Sequence, residues 1–75
     1  MPIYANRGGD SGVISYDIGP ESITVTFHDR ISYVYNYAAT GQSNVERMKK
    51  LAIAGEGLNS FINFNVSKMY ASKFG

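Results

Sequence analysis

The sequence contains no cysteine and only one histidine, His28. Disulfides and thiolate metal sites are therefore excluded, and a single imidazole cannot supply a histidine-rich metal site. No apolar run approaches the ~18–20 residues of a membrane span. The first residues also lack the basic stretch and apolar region of a signal peptide. We therefore expect no metal, no cofactor and no membrane partner, and a cytoplasmic location.

Charged residues are few, and the net charge of +1 implies no polyanionic partner. The charges are unevenly spread. Residues 1–40 carry two basic and four acidic side chains, whereas residues 41–75 carry five basic and two acidic ones. The basic half could contact phosphates, but such a composition is also typical of a solvated helical surface, and we favour that interpretation.

The motifs of common enzymes are missing as well. The glycines of residues 8–12 are not followed by the lysine of a phosphate-binding loop, and a strand pattern follows them instead of a helix. No serine lies in a Gly-x-Ser-x-Gly segment. His28 and Asp29 are sequence neighbours in a predicted hairpin turn, where adjacent side chains point apart. We therefore predict that the protein is not an enzyme and has no catalytic residues.

The sharpest feature present is a strand pattern over residues 31–37 with three tyrosines spaced two apart. Residues two apart share a face of a strand. The face that this spacing predicts consists of Ile31, Tyr33, Tyr35 and Tyr37.

Two further strands precede the tyrosine strand. Apolar and polar residues alternate over residues 13–18 and again over residues 23–27, where Ile23, Val25 and Phe27 point one way. The connections are short, so the three strands form an antiparallel meander most simply.

Two helices are predicted after the strands. Ser43 and Glu46 have the spacing of a capping box, which predicts a helix from there to about Ala54. Its apolar stripe comprises Val45, Met48, Leu51 and Ala52. A second helix over residues 58–70 has an apolar face consisting of Leu58, Phe61, Ile62, Val66, Met69 and Tyr70.

The predicted fold class is α+β: a three-stranded antiparallel meander followed by two C-terminal helices packed on one sheet face. One domain spans residues 13–70. Residues 1–12 are predicted to be a flexible N-terminal arm, because they are rich in glycine and polar groups. Residues 71–75 are predicted to be a frayed tail.

Several short features follow one another along the chain in the order that is typical of one protein family. They are Tyr16, the alternation of Ile23, Val25 and Phe27, a central Tyr-x-Tyr, the stripe of Val45, Met48 and Leu51, and the segment 55–63. In this order they resemble the KTSC domain, found at the C-terminus of some lysyl-tRNA synthetases and as a stand-alone bacterial protein. The resemblance covers about residues 11–66 and implies this single domain and an RNA-related binding role.

The chain departs from that family at two places. Residues 28–30 replace a hairpin glycine, and the loop of residues 38–43 is about two residues longer than the usual Val-Pro-Pro turn. Because of the longer loop, the Tyr-x-Tyr of the family falls either on Tyr33 and Tyr35 or on Tyr35 and Tyr37.

Tyrosine faces suit the stacking of unpaired RNA bases, with basic groups nearby on the phosphates. The residues that this interpretation selects as nucleic-acid-binding candidates are Tyr33, Tyr35, Tyr37, Arg30, Arg47, Lys49 and Lys50. The competing interpretation places Tyr33 and Tyr35 in the core beneath the helices, with their hydroxyls at its rim. Ile31 on the same face favours the core, which would restrict binding to the rim or to Tyr37 and the neighbouring loop.

The expected function is that of a small non-catalytic binding module whose partner is single-stranded RNA, tRNA or a tRNA-related complex. The alternative is a protein–protein interaction or homo-oligomerisation module without a nucleic-acid role, because the edges of a small sheet invite pairing. Further contact candidates are Glu56, Asn59 and Asn63.

Overall fold

A computed structural model of the chain describes residues 3–5, 12–66 and 68–75. Four antiparallel strands form one sheet in chain order: β1 (Val13–Ile18), β2 (Ser22–Phe27), β3 (Ser32–Asn36) and β4 (Ser72–Phe74). Between β3 and β4 come three helices: α1 (Tyr37–Thr40), α2 (Gln42–Ala54) and α3 (Leu58–Phe61), the last continuing into a π-helical turn over Ile62–Val66. The α+β class and the three-stranded meander are confirmed.

The strand register places the tyrosines of β3 over the core. Tyr35 pairs with Ile23 and Tyr33 pairs with Val25. Paired residues of antiparallel strands project from the same face. Ile23, Val25 and Tyr35 are at most 1 % exposed, and Tyr33 is half-buried against them. For Tyr33 and Tyr35, the core interpretation is therefore the one that the fold supports.

The helices cover this face of the sheet. Val45, Met48 and Ala52 of α2 are buried with the strand residues in one cluster, as the predicted stripe requires, and Leu51 is half-buried beside them. Leu58, Ile62 and Val66 complete the same cluster from the second helical segment. Burial of large apolar side chains from both layers is the main favourable contribution to folding in a domain this small.

Tyr37 does not continue the tyrosine face. The strand ends at Asn36, whose side-chain oxygen accepts a hydrogen bond from Ala39 N at 2.8 Å and so caps α1. Tyr37 is consequently the first residue of that helix, and the tyrosine face has two members instead of three.

The predicted capping box at Ser43 does not form. The residues predicted as a loop contain α1, and Gly41, with φ of 97°, separates it from α2. Helix α2 therefore begins at Gln42 without a side-chain cap. Glu46 is engaged elsewhere, because its carboxylate accepts a hydrogen bond from the Tyr37 hydroxyl at 2.6 Å.

The second predicted helix is shorter than expected. Its regular turns end at Val66, so that Met69 and Tyr70 lie beyond it instead of on its apolar face. The side-chain amide of Asn65 donates to the carbonyl of Phe61 at 3.2 Å. Such side-chain bonds to the preceding turn compete with the helical hydrogen bonds.

The tail that was predicted to fray forms β4 instead. Val34 pairs with Ser72, Tyr33 with Lys73, and Ser32 with Phe74. The physical reason is the outer edge of β3, whose backbone groups would otherwise lack partners within the sheet.

Part of the predicted N-terminal arm is packed. Ile3 pairs with Ser15 at the free edge of β1, and Tyr4 is only 3 % exposed. Its hydroxyl accepts a hydrogen bond from Leu58 N at 3.2 Å, which satisfies a donor at the start of α3. The remainder of the predicted arm includes residues 1, 2 and 6–11, which lie outside the described part of the chain.

Among the described residues, no helix is both long and apolar enough to cross a membrane.

Candidate functional site

A cavity of about 380 Å³ opens beside β3, between the turn that follows β2 and the chain that leaves the second helical segment. Its lining consists of Phe27, His28, Asp29, Tyr33, Tyr35, Ile62, Asn63, Lys68 and Tyr70. We call it the tyrosine cleft, after Tyr33, Tyr35 and Tyr70. A cavity of this volume is within the range of small-ligand sites, which are mostly apolar with a few polar groups.

Aromatic rings form the walls of the tyrosine cleft, with Tyr33 in contact with each of the others. The rings of Tyr33 and Tyr35 are nearly parallel, with centroids 6.4 Å apart. Phe27 and Tyr70 approach Tyr33 with centroids at 5.5 and 5.0 Å and interplanar angles of 88° and 73°. The lining therefore contains one ring nearly parallel to Tyr33 and two rings nearly perpendicular to it.

The sheet register explains how three of these rings come together. Tyr33 and Tyr35 share a face because they are two residues apart in β3. Phe27 lies two residues beyond Val25, the partner of Tyr33, and so is a diagonal neighbour on the same face. Tyr70 reaches the site because the chain must return from Val66 to pair with β3, and Ala71 N donates to Val34 O at 2.6 Å.

Polar groups lie at the mouth of the tyrosine cleft. His28 and Asp29 belong to the turn, where His28 N donates to Gly12 O and an Asp29 carboxylate oxygen accepts from Ile31 N at 3.1 Å. Arg30 follows with φ of 69°, in the left-handed region that this tight connection needs.

Two lysines from the C-terminal segment add positive charge. Lys68 lines the tyrosine cleft, and Lys73 is the β4 partner of Tyr33, on the same sheet face. Within the described part of the chain, neither lysine takes part in a salt bridge.

Burial changes the acidity of Tyr35. Removal from water, reinforced by the nearby hydroxyls of Tyr33 and Tyr70, raises the pKa of Tyr35 from 10.0 to about 12. The phenol therefore stays protonated even in alkaline solution at pH 10, and in this form it can both donate and accept hydrogen bonds.

A separate polar cluster surrounds Tyr37. The Tyr37 hydroxyl donates to Glu46, which also pairs with Lys49 at 3.0 Å, and Lys49 Nζ donates to Pro20 O at 3.2 Å. The hydrogen bond between Tyr37 and Glu46 raises the pKa of Tyr37 and lowers the pKa of Glu46. Lys49 lowers the pKa of Glu46 further. We call this cluster the Tyr37–Glu46 link, and its contacts join α1 and α2 to the turn between β1 and β2.

The candidate residues selected from the sequence are not brought together. Tyr33, Tyr35 and Asn63 line the tyrosine cleft, and Arg30 lies in the adjoining turn. Tyr37 and Lys49 belong to the Tyr37–Glu46 link. The remaining candidates do not line the cleft; they are the exposed residues Arg47, Lys50 and Glu56 and the half-buried Asn59.

Sequence reasoning did not select His28, Asp29, Lys68, Tyr70 or Lys73 as binding residues. His28 and Asp29 were interpreted as a turn, although a turn that leads directly into the tyrosine strand must lie at the end of that strand's face. Lys68, Tyr70 and Lys73 carried no local signal, since their position depends on the helix ending at Val66 and on the pairing of β4.

The donor set suits recognition of an organic anion better than that of a metal. No group of three or more histidine, cysteine, aspartate or glutamate side chains that could hold a metal ion occurs in the described part of the chain. The tyrosine cleft offers aromatic faces, phenolic hydroxyls, one amide, one imidazole, one ammonium group and one carboxylate. These groups can stack on a flat ring, form hydrogen bonds with its edges and neutralise a phosphate.

Comparisons of the chain with protein-family models, with curated proteins and with solved structures find no match.

Proposed function

We propose that the protein is a small non-catalytic binding module that binds single-stranded RNA at the tyrosine cleft. The observation that carries the proposal is the combination of aromatic walls with two lysines that form no salt bridge to any described residue. Unpaired bases are commonly held on aromatic side chains while nearby basic groups contact the phosphates. The KTSC resemblance belongs to the same proposal, since it implies an RNA-related role, and a tRNA-related partner would place the protein in the cytoplasm.

The tyrosine cleft is a better candidate than the basic residues of α2. Lys49 already forms a salt bridge and a backbone hydrogen bond in the Tyr37–Glu46 link. Arg47 and Lys50 are exposed, and neither lines a cavity with aromatic walls. A ligand there would gain charge contacts without the stacking that contributes roughly 1–3 kcal/mol per base.

The test uses charge reversal at matched lysines. Affinity for a short single-stranded RNA is measured by fluorescence anisotropy over a series of salt concentrations. We expect Lys68→Glu to weaken binding and to flatten the salt dependence, because each phosphate contact contributes about 0.7 to the log–log slope for single strands.

Lys50→Glu is the matched control, since Lys50 is also an exposed lysine but does not line the tyrosine cleft. We expect that variant to bind the RNA nearly as the unchanged protein does. The proposal fails if no RNA binds at low salt, or if both reversals weaken binding equally.

The alternative is a homo-oligomer or another protein–protein contact. It is favoured by exposed apolar side chains outside the tyrosine cleft, with Phe64 86 % and Ile53 68 % exposed, and by the edge of β4. Light scattering over a range of protein concentrations tests it. A mass that rises with concentration, and that falls back when Phe64 is replaced by serine, would support this alternative.

A further inference from the structure

We propose that the tyrosine cleft takes a single unstacked nucleotide, with its base in the cavity against Tyr33 and its phosphate at the mouth near Lys68 and Lys73. This inference rests on the proposed function and narrows the ligand from an RNA strand to one nucleotide unit. The recognised unit is then a splayed-out or terminal nucleotide, not a run of stacked bases.

The volume of the tyrosine cleft sets the first limit. About 380 Å³ lies near the lower end of the range for small-ligand pockets. Tyr35 and Ile62, which are 1 % and 3 % exposed, are the most buried lining residues and close the inner end. A base that enters the cavity therefore meets side chains of the buried core at its inner end.

The orientation of the rings sets the second limit. A platform for successive bases needs aromatic faces that point the same way along the strand. Phe27 and Tyr70 instead stand at 88° and 73° to Tyr33. The ring of Tyr35 is nearly parallel to that of Tyr33, but Tyr35 is only 1 % exposed. The tyrosine cleft therefore offers no run of accessible parallel faces, which favours one flat ring over several stacked bases.

The charges locate the phosphate. Lys73 lies directly across from Tyr33 on the same face, and Lys68 lines the tyrosine cleft from the preceding turn. The carboxylate of Asp29 is also part of the lining, but one of its oxygens is already hydrogen-bonded to Ile31 N. Lys68 is the one ammonium group in the lining, and Lys73 adds a second from the adjacent strand β4, so that both lie on the side formed by the C-terminal segment. The phosphate of a nucleotide whose base lies in the cavity would therefore be held on the side of these two lysines.

The experiment is isothermal titration calorimetry with three probes: adenosine monophosphate, adenosine and inorganic phosphate. We expect the monophosphate to bind about tenfold more tightly than adenosine, the effect of two solvent-exposed charge contacts. Inorganic phosphate alone should not compete. The double variant Lys68→Ala/Lys73→Ala should bind monophosphate and adenosine equally, whereas the control Lys50→Ala should keep the difference.

A second measurement does not depend on variants. In two-dimensional NMR spectra of the unchanged protein, the monophosphate should shift the side-chain amide of Asn63 and the ring signals of Tyr33 and Tyr70, and leave those of Tyr37 in place. Shifts centred on Tyr37 would overturn the inference.

The remaining outcomes distinguish a failure of the single-nucleotide inference from a failure of the proposed RNA binding. Equal affinity for monophosphate and adenosine in the unchanged protein, or full competition by inorganic phosphate, overturns the single-nucleotide inference. If RNA binds with sensitivity to Lys68 but the monophosphate neither binds nor competes, that inference is wrong and the proposed function stands. If neither RNA nor the monophosphate binds, both are wrong.

Discussion

Replacement of Gly55 by alanine tests the packing of the N-terminal segment against the helices. Gly55 ends α2 with φ of 78°, and a Cβ built there would lie 2.5 Å from the Cβ of Ala5. Gly57 is the natural control, because its φ is 81° but a Cβ there would meet only Leu51, at an ordinary 3.5 Å. The two glycines share a left-handed backbone and differ in the neighbour that an added methyl group would contact.

The two costs can be estimated separately. A left-handed backbone costs a non-glycine residue roughly 1–2 kcal/mol. Overpacking adds about 1–3 kcal/mol where a neighbour cannot move freely. We therefore expect Gly57→Ala to lower the free energy of unfolding by about 1–2 kcal/mol and Gly55→Ala to lower it by about 2–5 kcal/mol.

The assay is urea unfolding followed by far-ultraviolet circular dichroism, with Ala5→Gly as the partner substitution. In the double variant Ala5→Gly/Gly55→Ala the contact is removed, so the loss should return to about the level of Gly57→Ala. Equal losses for the two glycine variants, together with no recovery in the double variant, would refute the packing of residues 3–5 against the end of α2.

Two further predictions concern pH. Because the pKa of Tyr35 is raised to about 12, the unfolded chain loses this proton from pH 10 upward while the folded one retains it. The free energy of unfolding relative to Tyr35→Phe should therefore fall above pH 10, by at most about 1.4 kcal/mol per pH unit; a constant difference would contradict this. For Glu46 the sign is opposite, because the hydrogen bond from Tyr37 and the charge of Lys49 lower its pKa below 4.5. Above pH 4.5 the unchanged protein should melt at a higher temperature than the Glu46→Gln variant, and this difference should shrink as the pH falls below 4.5. A difference that persists in acid would show that the charge of Glu46 is not responsible.

Elements with a long or regular hydrophobic pattern could be predicted from the sequence. Strand β2 alternates without interruption, and the stripe of α2 buries Val45, Met48 and Ala52 as expected. These patterns succeed because burial against a single opposite layer imposes one period on many residues. The shared face of Tyr33 and Tyr35 was predictable for the same reason, whereas the sequence left open whether that face is core or an exposed surface.

Elements decided by one competing side chain or by a distant partner could not be predicted. Asn36 ends β3 by capping α1, and Asn65 bonds to the preceding turn where the second helix was expected to continue. Strand β4 has only three residues, too few to show a period, and exists because β3 offers an edge. Two of the nine lining residues of the candidate site were hidden with it, since the positions of Lys68 and Tyr70 follow from the return of the chain to that edge.

The dependence of the tyrosine cleft on β4 has a consequence for its dynamics. All three residues of β4 are exposed, and the strand contributes no residue to the buried core. Segments with so few buried contacts open locally at a small fraction of the global unfolding free energy. Release of β4 would carry Lys73 away from Tyr33 while the meander and α2 stay folded. Tyr70 lies just before β4 and packs against the core, and Thr40 donates a hydrogen bond to Met69 O. A local opening would therefore free the outer, cationic side of the tyrosine cleft first and leave its aromatic wall in place, so the proposed ligand would enter from that side without unfolding of the domain.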